Sequence, residues 1–366
     1  MLRDLTIQNY RCFKDFHIDG LARVNLIVGM NNSGKTSLLE AVYLLVNQVN
    51  PGCLLYPLDN RGEILPLKRP RLRSSGEVIS HSYQIDHIFY GHKLNTEQAI
   101  HFQSQQEQPL SLKIQLSQKD PKKKSSNSLI VESDIYVLQL SFLYGSAISF
   151  DVPLLDDCSI TEQAFRSMRL SRIQQSESNN ICDFITTNLR GFDELATLWD
   201  EITLTPKEDK VLEALQILEQ NIQRISFTSR QTYDSGILLK IREHSHPIPL
   251  GSMGEGMRRI LTLVMAAVTV ENGFLLVDEI ETGLYYETQT DMWRLILETA
   301  QQLNVQVFAT THSWDCISAF QEALGQLEDT SVAKLFRLSR KGENIRAVDY
   351  PAEKLGVAVR QNIEVR

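Results

Sequence analysis

Apolar positions along this chain follow two periods that alternate from end to end. Residues 2–8 (LRDLTIQ) alternate apolar and polar, the period of a half-buried strand, and a second strand is expected around Phe16–Ile18. VNLIVG at 24–29 is an unbroken run of mostly branched apolar residues, as a strand covered on both faces requires. Leu38, Val42, Leu45 and Val49 then recur on one face of a helix over 35–49, which Asn50-Pro51-Gly52 stops. The stretches 82–91, 110–117 and 133–142 alternate between polar turns and predict an antiparallel sheet. Between two of them, KDPKKKSSNS (119–128) reads as a solvated basic loop.

Over 159–225 the pattern becomes mainly helical. The clearest segments are 192–202 and 208–225, and Thr205-Pro206 marks a helix start. No heptad pattern persists over several turns, which argues against a long coiled-coil arm. From 226 the α/β alternation returns. It runs through a strand at SGILLKIRE and a helix over 256–270 with Ile260, Leu261, Val264, Ala267 and Val268 facing inward. GFLLVDE and VQVFATT read as buried strands, each followed by a helix, and VAKLFRLSR and NIRAVDY as two final strands. The expected organisation is an α/β core in two parts, 1–150 with the antiparallel portion and 231–366, separated by an inserted, mainly helical lobe at 151–230.

Composition narrows this picture. The chain has 366 residues, 42% hydrophobic and 22% charged, an ordinary globular mixture that can fill a large core. The formal net charge is −8, whereas a protein that holds nucleic acid by its phosphates carries a basic stripe. Any DNA contact is therefore expected to be local, gated, or made by a partner. Cys12, Cys53, Cys158, Cys182 and Cys316 form no C-x-x-C pair and read as reduced thiols. His244 and His246 have no further ligand beside them in sequence and read as a solvated turn. No run of 18 uncharged apolar residues occurs, and MLRDLTIQNYRCF lacks a signal-peptide core. The expectation is a cytoplasmic protein without a membrane domain.

The chemistry is concentrated at the ends of predicted buried strands. Gly29-Met30-Asn31-Asn32-Ser33-Gly34-Lys35-Thr36 matches G-x-x-x-x-G-K-S/T between such a strand and an amphipathic helix. The glycines let successive N–H groups point at phosphates, and the helix aims its positive end at the same place. Lys35 is placed to reach the β- and γ-phosphates of ATP, and Thr36 to ligate Mg2+, with Ser37 next to it in the cradle. Phe274–Val277 is an apolar strand ending in Asp278 and Glu279, placed to hold Mg2+ and to act as general base. A turn at Leu250-Gly251-Ser252-Met253-Gly254-Glu255-Gly256 precedes the next helix, and Ala309-Thr310-Thr311-His312-Ser313 ends the following strand. Taken alone, that turn also fits an ordinary helix N-terminus.

The order of these motifs resembles ABC-type ATPases: P-loop, signature, Walker B, D-loop and switch histidine. Ser252, Gly254 and Glu255 match the serine, second glycine and final position of an LSGGQ-type signature, with Met253 in place of the first glycine. Glu281-Thr282-Gly283-Leu284-Tyr285 falls where that family has its D-loop, and His312 on its switch histidine. LTIQNYRCFKDF is similar to the first strands of SMC, RecF and OLD-type ATPases, and VDEIETGL lacks the proline that transporter subunits carry after the acidic pair. The resemblance covers roughly residues 1–50 and 248–320 and implies a stand-alone ABC-type P-loop NTPase. It implies lysine and histidine at the γ-phosphate (Lys35, His312), a general base at Glu279, and two copies sandwiching ATP at shared sites. It also places Arg11 near nucleotide or DNA. No motif selects a Q-loop glutamine between Gln84 and Gln115.

OLD-type nucleases append a TOPRIM domain with a D-x-D pair, and the residues after His312 contain none. A nuclease, if the system has one, is expected to be a separate protein. The favoured reading is a regulatory ATPase whose closure controls DNA or a partner effector in repair or anti-phage defence. An ATP-gated scaffold that hydrolyses slowly or not at all is the alternative left open by Met253, with a transporter subunit behind it.

Overall fold

The computed structural model describes residues 1–47, 50–72, 78–94, 96–105, 109–118, 138–145, 148–165, 182–188, 190–228 and 236–366. The chain begins with strands β1 (Asp4–Tyr10), β2 (Phe13–Asp19) and β3 (Val24–Val28), followed by helices α1 (Lys35–Val46) and α2 (Leu55–Asn60). Six strands follow: β4 (Ile64–Leu72), β5 (Val78–Tyr83), β6 (Ile100–Ser104), β7 (Leu110–Gln118), β8 (Leu138–Tyr144) and β9 (Ile148–Pro153). The middle of the chain gives β10 (Cys182–Ile185), α3 (Phe192–Ile202), α4 (Pro206–Gln216), β11 (Ile222–Thr228), β12 (Gly236–Ile241) and β13 (Ile248–Pro249). The last part gives α5 (Glu255–Thr269), β14 (Phe274–Val277), α6 (Tyr286–Gln302), β15 (Gln306–Thr311), α7 (Trp314–Leu324), β16 (Ala333–Lys341), β17 (Asn344–Tyr350) and α8 (Ala352–Arg360).

Two six-stranded sheets organise these elements. The first, in order β2-β1-β6-β7-β8-β9, is antiparallel throughout. The second runs β10-β14-β15-β3-β16-β17 and is parallel except for its last pair. Its central strands β3, β14 and β15 are buried on both faces, which explains their unbroken apolar runs. Val24, Leu26, Leu275, Val277, Val307 and Ala309 face one core, beneath α5, α6 and α7. Ile27, Leu276 and Phe308 face the other, which holds α1 and the inner side of the antiparallel sheet. The helix after the P-loop is thus packed between the two sheets.

Three segments differ from their sequence pattern. The alternation at 82–91 ends as a strand at Tyr83, and a single 3-10 turn follows at Asp86–Ile88. The helix expected over 208–225 stops at Gln216 and β11 begins at Ile222. A register shift between Ile222 and Arg224 leaves Ile222 and Ile225 as the buried pair, a spacing of three that imitates a helix. Within the span read as mainly helical, Cys182–Ile185 joins the parallel sheet beside β14, while α3 and α4 share the core of α5. The basic stretch 119–128 lies outside the described residues. Among the described residues, no helix is long and apolar enough to cross a membrane.

Buried amides tie the first strand to this core. Gln306 accepts from the Leu2 N–H at 2.7 Å and donates to the Leu2 and Ala22 carbonyls at 2.8 Å each. Asn25, also fully buried, accepts from Ala22 and donates to Ala22 and Val307. Gln306→Leu strands the buried Leu2 amide and carbonyl. It is expected to lower unfolding free energy by about 2–4 kcal/mol, read as a shifted urea midpoint at unchanged slope.

Candidate nucleotide site

The P-loop begins where β3 ends, at the carboxyl edge of the parallel sheet, the usual position for ligands in such sheets. Two of its glycines are required by geometry. Gly34 has φ +97°, and a Cβ there would lie 2.8 Å from the Phe13 ring and 2.9 Å from the Cys12 Sγ. At Gly29, φ is +153°, and a Cβ would lie 2.7 Å from the Ser33 Oγ and 2.8 Å from the Leu338 carbonyl. Asn32 takes the left-handed conformation that asparagine tolerates, φ +61°, and is exposed with Asn31. No side chain caps α1, so its first N–H groups remain available to an anion.

The loop's polar groups point the same way. Lys35 Nζ curls back to donate to the Gly29 carbonyl at 2.8 Å and the Met30 carbonyl at 3.2 Å. Burial lowers the pKa of its ammonium, while Asp278, Glu279 and Glu281 act to raise it. Ser33 Oγ is buried without a hydrogen-bond partner among the described residues. Ser37, also buried, accepts from Arg61 at 3.1 Å.

Two strand ends and the first turn of α1 meet at Asp278. Thr36 Oγ1 donates to its Oδ2 at 2.8 Å and Thr310 Oγ1 to its Oδ1 at 2.5 Å. The Thr310 hydroxyl in turn accepts the Glu279 N–H at 2.8 Å. Glu279 itself has φ +46°, in the left-handed region, and its carboxylate is 3.4 Å from His312 Nδ1. Thr311 Oγ1 donates to Glu281 Oε1 at 2.6 Å, and His312 Nδ1 lies 3.9 Å from the same oxygen. The structure therefore brings Lys35, Thr36, Asp278, Glu279 and His312 together. A small cleft beside Thr36 and Asp278 is also lined by Arg61, Thr186, Thr187 and Asn188. A larger, shallow cleft lined by Arg3, Arg23 and Asp329 lies at the opposite ends of the strands and has none of this chemistry.

The signature-like turn is a 3-10 turn over Leu250–Met253, then Gly254 at φ +90°, then α5. Ser252, Gly254 and Glu255 are exposed, and among the described residues no hydrogen bond joins them to the P-loop of their own chain. The turn packs instead on the loop after Glu279. A Cβ on Gly256 would be 3.0 Å from the Gly283 carbonyl, and one on Gly283 would be 3.2 Å from the Glu255 side chain.

Arg11 departs from its sequence expectation. It is buried beneath α1, with Nε 2.6 Å from Glu40 and Nη1 2.7 Å from Glu63. Glu40 points inward and gathers the Arg61 guanidinium at 2.6 Å and the Tyr10 hydroxyl at 3.0 Å. A buried carboxylate requires such partners, so Arg11 is committed to the interior rather than turned toward a nucleotide or DNA. The sequence motifs contain Thr310 and Glu281 but give neither an individual role, and no motif marks the end of β10. Thr310 carries a readable signal, a hydroxyl at the end of a buried strand beside an acidic strand end. Thr186–Asn188 carry none, because β10 is only four residues long.

These residues fit a nucleotide. A cradle closed to any Cβ, an uncapped helix start and an orphaned buried hydroxyl suit phosphate oxygens. A hydroxyl and a carboxylate 2.8 Å apart are hard oxygen donors that suit a small divalent cation.

Similarity to known proteins bears on the family and the fold. A family profile described as an AAA ATPase domain matches residues 1–207 and 71–317. A Helicobacter pylori protein named ATP/GTP phosphatase is 25% identical over 388 residues, covering 97% of each chain. RecF DNA replication and repair proteins match over a short stretch, 12% of each chain. They are 41% identical over 44 residues in Clostridioides difficile and 48% over 44 in Lactobacillus acidophilus. Among solved structures, an SMC head bound to the C-winged helix domain of ScpA gives a TM-score of 0.52 at 12% identity, over 97% of this chain and 99% of that one. A Pyrococcus furiosus SMC head with an extended coiled coil, bound to the C-terminal domain of ScpA, gives 0.50 at 11% identity over 99% of both. The chain belongs to the AAA ATPase domain family, and it is a P-loop ATP hydrolase with the fold of an SMC head.

Proposed function

We propose that this protein is a Mg2+-dependent ATPase in which ATP draws two copies together and hydrolysis releases them. The cycle would control engagement of DNA or of a separate effector, such as a nuclease, in DNA repair or anti-phage defence. The observation that carries the reading is the hydrogen-bonded chain Thr36–Asp278–Thr310–Glu279, which joins the P-loop to the acidic strand end.

In this reading the N–H groups of Gly29–Ser37 hold the phosphates, and Lys35 exchanges its carbonyl contacts for the β- and γ-phosphates. Thr36 and Asp278 would hold Mg2+, which supplies charge neutralisation on the phosphate oxygens. Glu279 accepts a proton from the attacking water, and His312, 3.4 Å from its carboxylate, steadies it and faces the γ-phosphate. Ser252, Gly254 and Glu255 face outward and are free to complete the site of a second copy. That arrangement is reciprocal and closes with two-fold symmetry. The similarity to RecF proteins and SMC heads supports a DNA-related role, while the net charge of −8 favours local or partner-borne DNA contacts. One residue favours a slower, scaffold-like variant of the same cycle: Met253 puts a half-buried side chain where the signature has glycine.

Two measurements test this. Glu279→Gln with Mg2+ and ATP is expected to sediment as a stable dimer or larger assembly, whereas wild-type protein returns to its starting size as ATP is consumed. An unchanged sedimentation coefficient in both rules out ATP-driven association. Gly34→Ala, which drives a methyl into Phe13 and strains φ, is expected to weaken nucleotide binding by about 100-fold or more, measured with a fluorescent ATP analogue.

A further inference from the structure

Among the described residues, Arg259 is the largest fully buried side chain after Trp293, at 1% exposure. It sits one turn into α5, just beyond the exposed Gly254 turn. Its Nη1 donates to the Thr186 carbonyl at 2.9 Å, and its Nη2 donates to the carbonyls of Asp278 at 3.0 Å and Glu279 at 2.9 Å. All three hydrogen bonds go to main-chain oxygens, and among the described residues its Nε has no partner. Burial lowers its pKa, while the acids Glu281, Asp278 and Glu279 act in the opposite direction. A planar, always-charged fork aimed at backbone oxygens is a geometric clamp rather than an ion pair.

What it clamps is the unusual part of the site. Glu279 is a non-glycine residue at φ +46°, a conformation that persists only when neighbours hold it. Thr310 holds the Glu279 peptide from one side through its N–H, and Arg259 from the other through the carbonyl. The same guanidinium reaches the end of β10, so two segments beside the cleft, the ends of β10 and β14, share one donor. At the start of α5, the close approach of Gly256 to the Gly283 carbonyl joins the exposed turn to the loop after Glu279.

We propose that Arg259 is a positioning residue that locks the Glu279 peptide in its left-handed conformation and passes the position of the Gly254 turn to the Glu279 carboxylate. The proposal deepens the ATPase reading above and rests on it. A second copy's nucleotide seated against Ser252–Glu255 would tilt α5, and the tilt would reach Glu279 through one rigid side chain. Occupancy of the shared site would thereby control the aim of the base.

The test compares wild type, Arg259→Lys and Arg259→Met in three readouts. These are steady-state ATP turnover, melting temperature, and amide hydrogen exchange over residues 278–284. Lysine keeps the charge but cannot span three carbonyls, and methionine keeps much of the bulk. In both variants kcat is expected to fall by about 100-fold with KM within about threefold of wild type. Exchange is expected to rise in 278–284 while β14 and β15 keep wild-type protection. Wild-type kcat in a folded Arg259→Lys overturns the proposal. So does a loss of kcat that merely tracks falling melting temperature and rising KM, which is what a packing role alone produces. Failure of both variants to fold assigns Arg259 to core stability and likewise overturns it. If wild-type protein itself turns over no ATP, the ATPase reading fails separately, and the exchange data still decide whether Arg259 holds the 278–284 backbone.

Discussion

The site depends on a single carboxylate that ties two strand ends to the first turn of α1. Asp278 directly follows β14 but takes its hydrogen bonds from Thr36, in the first turn of α1 that the P-loop joins to β3, and from Thr310, in β15. β15 lies between β14 and β3 in the sheet, so the donors reach Asp278 from its neighbouring strand and from the strand beyond. The sheet order therefore fixes the distance between phosphate cradle and acidic end. Short parallel strands covered on both faces leave little freedom for that distance to change. The Glu279 N–H bond to the Thr310 hydroxyl extends the same chain to the proposed base.

Charge is arranged around this junction in two layers. Asp278, Glu279 and Glu281 gather at one edge, where the Lys35 ammonium and the buried Arg259 guanidinium lie in their field. Beneath α1 a second group, Glu40 with Arg11 and Tyr10, is nearly closed to water, and the more exposed Arg61 pairs with Glu40 from the cleft side. Breaking a buried ion pair costs far more than forming it contributes, so this second group constrains where α1 lies. Arg61 belongs to both layers, since it pairs with Glu40 and lines the cleft beside Asp278. Arg61 thus joins the inward face of α1 to the cleft wall.

The sequence was most informative where chemistry and periodicity coincide. The P-loop, the acidic strand end and His312 each terminate a doubly covered strand whose apolar run is visible without a structure. It was least informative where local pattern and tertiary contact disagree. The bulge at Ile222–Arg224 gives β11 a helical spacing, and only pairing with β12 makes it a strand. Cys182–Ile185 is too short to read as a strand until β14 lies beside it. Arg11 resembles a surface residue of a known motif, but its direction is set by Glu40, one residue of α1 whose inward orientation no pattern announces. Thr310 and Arg259 were overlooked for a related reason. Their partners are main-chain atoms or distant side chains, and a sequence does not display the backbone.

The central claim is that Asp278 joins the phosphate cradle to the hydrolytic edge. The most direct test is Mg2+-dependent phosphate release by wild type and by Asp278→Asn, with nucleotide binding measured in parallel without metal. The account predicts that the variant binds metal-free nucleotide about as well as wild type and loses turnover by about 100-fold or more. Wild-type turnover in a folded Asp278→Asn protein would contradict it.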